Sequence, residues 1–418
     1  MFVSPAERPK DINAFYMYKV DPLEGVSGGK LISYSAPTSR KFIGRSILEQ
    51  DWPALQVKET EPDIEMCWAE NRGLLVFKRV TSQVGVAKDC PSFDRHAAMA
   101  AKGFYTEKNP AMEQEIVGNN AYETNWSREL PASTTSPVIP WSWTRGAAYN
   151  YFPNMFLRRD AGFRFVVTKR QEIWKMLRFR RRLANGHYEY LDKTSKEHLG
   201  RYLEEVPTGG LLEEPRIQCG FMDVLQTEHV RIVSCIDRTV WPFEDFVTMK
   251  YDQLVGYESQ ATFKITSLRI VKVIFILMEN NSAKRERYYG NYTSDSTGVT
   301  SGWDVVDSVT FHRDTTKVSY RLATIKTLMR EHFPSVPVSR GILAIPLCMN
   351  PRLLEENVGV SIGGQANNTI EIKLKDCSPY HDQDKTTKFR PYIVLQIIRN
   401  VIFSKDPGPE MTFTPRFD

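Results

Sequence analysis

Apolar residues are spaced differently along the two halves of this 418-residue chain. From about Arg216 onward they alternate with polar residues or run together in short blocks rich in Val, Ile and Phe, which is a strand pattern. It predicts strands at 218–225, 230–236, 243–251, 262–278, 305–311, 317–329, 341–349, 369–376 and 389–404, with 317–329 also admitting a helix. Turn formers at 279–283, 291–302, 362–368 and 379–385 separate them. The runs 262–278 and 389–404 exceed the usual strand of about five or six residues, so they must bend or cross between sheets. In the last run Tyr392, Val394, Ile398 and Val401 include core-facing positions. The fold class expected is mainly β, an antiparallel sandwich or barrel over 216–418.

Upstream, the pattern breaks up. Prolines from Pro5 to Pro140 punctuate residues 1–150, which read as an irregular, elaborated N-terminal extension or subunit-contact region. A short strand at 73–80 and a short helix at 94–102 are its clearest elements. Residues 151–215 form a middle zone, a basic hairpin followed by a helix. Asn185-Gly186 predicts a two-residue type I′ turn between antiparallel strands. Thr194 and Glu197 have capping-box spacing, Leu199, Tyr202, Leu203 and Val206 mark one helix face, and Pro207 stops it.

Charge changes the picture in that middle zone. Ten basic residues lie between Arg158 and Arg182 against Asp160 and Glu172, while the whole chain carries only +5. Such concentration makes a local field that attracts a polyanion. Arg158, Arg159, Arg164, Lys169, Arg170, Lys175, Arg178, Arg180, Arg181 and Arg182 are interleaved with Phe163, Phe165, Trp174 and Phe179. Cations neutralise phosphates and aromatic faces stack unpaired bases, so these ten and Trp174 and Phe179 are the candidate nucleic-acid-binding residues. Period two would put Arg178, Arg180 and Arg182 on one strand face. An ordinary basic strand with a core face explains the same letters, as does docking to an acidic patch on a partner subunit.

Composition is that of a folded chain with eight tryptophans. Met1–Lys10 lacks the apolar core of a secretory signal, and the longest apolar block, Val273–Met278, is strand length, so no membrane insertion is expected. The six cysteines show no CxxC spacing and read as free thiols. His381, Asp382 and Asp384 read as a polar turn and not as a metal site. Nucleotide-loop, nucleophile-elbow and zinc-protease motifs are absent, so no catalytic residue, metal or cofactor is expected. Trp141, Trp143, Trp303 and Tyr292 sit in turn-rich stretches, where aromatics serve interfaces or pack under loops.

Three stretches, Thr262–Asn280, Phe311–Lys326 and Arg390–Pro407, resemble the early core strand, the mid-domain His-Arg-Asp stretch and the closing strand of the jelly-roll capsid proteins of small single-stranded DNA viruses, of circovirus and geminivirus type. A parvovirus-like or RNA-virus shell protein is a further possibility, since the neutral residues before the basic segment have no counterpart in that family. The resemblance spans roughly residues 216–407. It implies a non-enzymatic shell subunit in the virion, self-assembling into an icosahedral particle, with single-stranded genome on its inner face and an unknown host receptor. Assembly would take place in the host nucleus or cytoplasm. The alternative is a nucleic-acid-handling enzyme or adaptor that docks through the basic hairpin.

Overall fold

In the computed structural model the described residues are 12–20, 31–36, 42–69, 71–84, 90–105, 118, 126–137, 156, 163–169, 176–191, 196–207, 212–235, 238–267, 269–282, 290–294, 302–313, 315–333, 341–349, 351, 359–362, 368–376, 387–405 and 413–417. The first half runs β1 (Ile12–Val20), β2 (Leu31–Ser35), β3 (Phe42–Trp52), β4 (Leu55–Gln56), β5 (Ile64–Trp68), α1 (Arg72–Leu75), β6 (Phe77–Val84), β7 (Ser92–Asp94), α2 (Arg95–Tyr105), β8 (Glu129–Leu130), β9 (Ser133–Thr135), β10 (Phe163–Lys169), β11 (Leu177–Arg182), β12 (Tyr188–Tyr190), α3 (Lys196–Tyr202) and β13 (Arg216–Val224). The second half runs α4 (Gln226–Cys235), β14 (Arg238–Lys250), β15 (Val255–Gly256), β16 (Gln260–Lys264), β17 (Ile270–Asn280), β18 (Val306–Arg313), β19 (Thr316–Arg321), α5 (Leu322–His332), β20 (Ile342–Pro346), β21 (Val360–Ser361), β22 (Thr369–Leu374), β23 (Lys388–Lys405) and β24 (Phe413–Phe417).

Every ladder is antiparallel. The first half builds four-stranded sheets in the orders β1-β13-β3-β9 and β2-β10-β6-β7, with the smaller sheets β12-β11-β5 and β4-β8. The second half builds a seven-stranded sheet around β14-β23-β17-β20 and a four-stranded sheet β16-β22-β18-β19. Alternating burial in β10, β16 and β22 shows one face of each turned to a core.

The first 150 residues therefore hold more sheet than their prolines suggest. Pro53 and Pro131 lie just after β3 and β8, and Pro91 just before β7. At strand ends a missing N–H breaks no ladder bond. Strand β13, expected at the head of the C-terminal sandwich, pairs instead with β1 and β3.

Two local expectations are corrected and a third is borne out for one of its two runs. Of the strand expected at 230–236, residues 230–235 lie in α4, where Glu228, Ile232 and Val233 are buried at helical spacing and Arg231 bonds Glu228 at 2.6 Å, and residue 236 is outside the described residues. The run 262–278 splits into β16 and β17, which lie in different sheets, as its length required; 389–404 stays in one sheet as β23. The Asn185-Gly186 hairpin forms, but with three loop residues. Leu183 and His187 close it, only Gly186 has positive φ (81°), and the Asn185 side chain accepts the His187 N–H. That is a type I turn with a left-handed glycine, which needs no positive φ at Asn185.

β17 and β23 are buried on both faces. α2, from the first half, packs on β14, β17 and β23. This accounts for the unbroken apolar run Val273–Met278: a sheet covered twice cannot alternate. Tyr392, Val394 and Val401 are core residues as expected, while Ile398 is half-buried. Four described cysteines, Cys67, Cys90, Cys219 and Cys348, are free thiols.

Candidate nucleic-acid interface and the seam between the halves

The basic segment is divided by the fold. Arg158, Arg159, Arg170, Trp174 and Lys175 lie outside the described residues, as do Trp141, Trp143, His381, Asp382 and Asp384. Arg164 is half-buried on β10, between the buried Phe163 and Phe165, and Lys169 ends that strand. β11 is the middle strand of its sheet, between β5 and β12. Leu177, Arg178, Phe179 and Arg180 are all buried there, so period two does not sort them into an inner and an outer face.

Arg180 is spent internally. Its guanidinium bonds the Glu65 carboxylate at 2.5–2.6 Å and lies over the Tyr188 ring at 3.7 Å and Trp126 at 4.7 Å. Phe179, with no exposed surface, packs on Tyr202 at 5.3 Å. The expectation that Arg178, Phe179 and Arg180 face a nucleic acid is thus corrected: a buried ring has no face to stack on a base, and a buried paired guanidinium has no phosphate within reach. Arg181 is half-buried and Arg182 exposed. Glu65 and Trp126 could not be named from the sequence, since Glu65 lies 115 residues from Arg180. Tyr188 was the legible partner, because the hairpin faces Arg182 with Tyr188.

A second polar cluster, which sequence reasoning missed, lies where the halves meet. Asp94 caps α2: its Oδ1 accepts the His96 and Ala97 N–H groups at 3.0 and 2.9 Å and the Thr248 hydroxyl of β14 at 2.9 Å. Arg95 donates to Glu279 of β17 at 2.7 Å, with both side chains buried. His96 stacks on Tyr392 of β23, centroids 3.6 Å apart, and its Nδ1 is 3.1 Å from the Tyr292 hydroxyl. Tyr292 is therefore a buried seam residue, the packed alternative of the two that its turn-rich surroundings offered. Gly341 helps to hold it. At φ +83° a Cβ there would fall 1.9 Å from the Tyr292 carbonyl oxygen, so only glycine fits. Trp303, by contrast, is exposed.

Beside this cluster a cleft of about 480 Å³ opens between β6–β7 and β14–β23. Arg79, Asp94, Asp245 and Arg399 line it, two cations and two carboxylates. Arg399 bonds Asp245 at 2.9 Å and Arg79 bonds the Ser92 hydroxyl at 2.7 Å. Burial pushes the Asp245 carboxyl up while Arg399 pulls it down, and burial prevails. Lys272 and Glu244 form a further ion pair, fully buried inside the large sheet. Among the described residues, no three His, Cys, Asp or Glu side chains cluster to hold a metal. No helix among them is long and apolar enough to cross a membrane.

No protein-family model matches the sequence, and no curated protein matches it. Solved structures match the fold. VP54 of PBCV-1 superposes with a TM-score of 0.69 at 9% identity, covering 98% of this chain and 98% of that one. The Faustovirus major capsid protein gives 0.60 at 11%, covering 96% and 92%. The mavirus major capsid protein gives 0.51 at 8%, covering 96% and 89%. The chain thus has the jelly-roll fold of viral major capsid proteins over nearly its whole length. The resemblance drawn from sequence is corrected in extent: it covered roughly 216–407, and the likeness in fold takes in the first half as well.

Proposed function

We propose that this chain is a major capsid protein, a structural subunit that assembles with copies of itself into the icosahedral shell of a virion. The observation that carries this reading is the end-to-end match in fold to VP54 of PBCV-1. The circovirus and geminivirus kinship and its single-stranded genome are not carried forward, because the matched shells are those of PBCV-1, Faustovirus and mavirus. The parts of residues 1–150 outside the described strands are read as supplying contacts between subunits. The rival, an enzyme or adaptor docking through the basic hairpin, keeps Arg181 and Arg182 but not the buried Arg178 and Arg180, and no match in fold supports it.

Purified protein is expected to form closed particles of megadalton size in negative-stain microscopy. A small soluble oligomer under all salt and pH conditions would overturn the reading.

Non-specific genome contact is part of the same proposal and falls to Arg181 and Arg182, with Arg158, Arg159, Arg164, Lys169, Arg170 and Lys175. Replacing Arg158, Arg159, Arg181 and Arg182 with Gln should lower the slope of log affinity against log salt by about 0.7 for each phosphate that is no longer neutralised on a single strand. An unchanged slope with assembly abolished would mean that these arginines serve the joints between subunits instead.

A further inference from the structure

Lys272 is 0% exposed and Glu244 1%, and the Lys272 Nζ bonds Glu244 Oε1 directly. The two residues are not on neighbouring strands. β23 runs between β14 and β17, so the side chains meet across it. The backbone is shaped for that reach. The β17–β23 ladder passes from Val271–Ile397 straight to Val273–Gln396 and leaves Lys272 without an opposite number on β23. Such a β-bulge re-aims a side chain that regular pleating would direct elsewhere. Two contacts fix its place. The Lys272 carbonyl accepts the Leu347 N–H at 2.7 Å. A Cβ at Gly359 would fall 2.2 Å from the Val271 carbonyl oxygen, so the chain presses on β17 one residue before the bulge.

A third polar group lies on the same face. Glu244 and Phe246 are two apart on β14, and Phe246 stands opposite Gln396, so Gln396 shares the face of Glu244. Gln396 is 0% exposed and its Nε2 donates to the Pro351 carbonyl at 3.5 Å. Its Oε1 is buried with no hydrogen-bond partner among the described residues. An acceptor orphaned at that depth is costly and calls for a donor.

We propose that Lys272 and Glu244 condense into an intramolecular isopeptide bond that straps β14 to β17 across β23. The step needs no co-reactant. The ammonium passes one proton to the carboxylate along the existing hydrogen bond. The Nζ lone pair then attacks Glu244 Cδ, so that the Nζ–Cδ bond forms and one Cδ–O bond breaks. That oxygen leaves as water, with the transferred proton and a second proton from Nζ. Nothing is oxidised or reduced.

Burial and proximity both favour the amide. In water an amine and an acid rest as solvated ions, which opposes condensation. Here both ions have lost their solvent, and a neutral amide removes two buried charges. Groups held in contact also react as though highly concentrated, with effective molarities of about 10⁵–10⁸ M in well-oriented cases. The amide keeps one N–H, and Gln396 Oε1 is a buried acceptor on that face in need of one. Other ion pairs lack this chemistry. Arg95–Glu279 and Arg399–Asp245 present guanidinium groups, which are poor nucleophiles, and Lys326, which meets Asp304, is 53% exposed.

The test is mass spectrometry of the full-length protein, denatured and reduced. Wild type should be lighter by one water than its sequence requires. Trypsin should leave Lys272 uncut and release a branched peptide in which residues 239–250 and 270–284 are joined through Glu244 and Lys272. The double variant Lys272→Met with Glu244→Leu buries no charge, so it should fold and keep its full sequence mass. A wild-type protein that still has its full sequence mass after prolonged incubation in the folded state overturns the proposal. Loss of water from the double variant as well would put the reaction elsewhere and sink it too. Loss of ammonia in place of water, with Lys272 joined to Gln396, would equally refute it. The branched peptide is read on wild type alone, so a variant that fails to fold leaves the test intact. The bond forms within one chain, and neither result depends on whether the chain builds a shell.

Discussion

Val394→Asp is expected to lower the free energy of unfolding by more than about 4 kcal/mol. Val394 has no exposed surface and sits on β23, opposite Thr248 of β14 and Phe275 of β17. β23 is the strand on which the large sheet depends: β14, β15, β17 and β24 all pair with it. The substitution removes a buried isopropyl group, worth about 1.5–3 kcal/mol, and puts a carboxyl where no side-chain surface meets water. Ile398→Asp on the same strand should cost less than half as much, because Ile398 is half-buried and water reaches it. Urea unfolding of both variants checks this. Equal midpoints would mean that β23 is not central.

Glu279→Ala is expected to destabilise by about 3–5 kcal/mol. The change removes the carboxylate that Arg95 bonds at 2.7 Å in a site where both side chains are buried. The loss is less that of the attraction than of an answer to the buried guanidinium. The double variant Arg95→Met with Glu279→Leu should therefore be more stable than Glu279→Ala alone, since it buries no charge. A double variant as unstable as the single one would show that packing around Glu279, and not its charge, is what counts. Because the pair joins α2 to β17, loss of stability in Glu279→Ala should come with faster hydrogen exchange along α2.

How legible these features were in the sequence depended on the range of the interactions behind them. β18, β22 and β23 were read to within a few residues, and β17 as the end of a longer run that also took in β16, because a strand with a buried face writes that face into its own alternation or its own apolar run. The antiparallel sandwich over the second half followed from their number and spacing. The helix at 196–202 lay within the stretch that its capping spacing and its stop at Pro207 had marked out.

What stayed hidden was decided by partners distant in the chain. The sheets of the first half depend on pairings such as Ile12–Val20 with Arg216–Val224, which no local window contains. α4 carries β-branched residues that favour a strand alone, and only its packed environment makes it a helix. The basic segment shows the same division most clearly. Its charge is a property of sequence, and the attraction of that charge for anions could be read at once. Which cations remain outside is a property of burial. Glu65, Trp126 and Tyr188 gather around Arg180 and take it out of solution, whereas Arg182, two residues on, stays in water. Composition and periodicity thus determined the strands, the sandwich and the site of the positive charge. Tertiary structure alone decided that the first half builds sheets of its own, that α2 packs from the first half onto the large sheet of the second, and that Arg95 and His96 meet their partners across the seam. Burial and pairing energies arise between residues brought together by the fold, so neighbours in sequence do not reveal them.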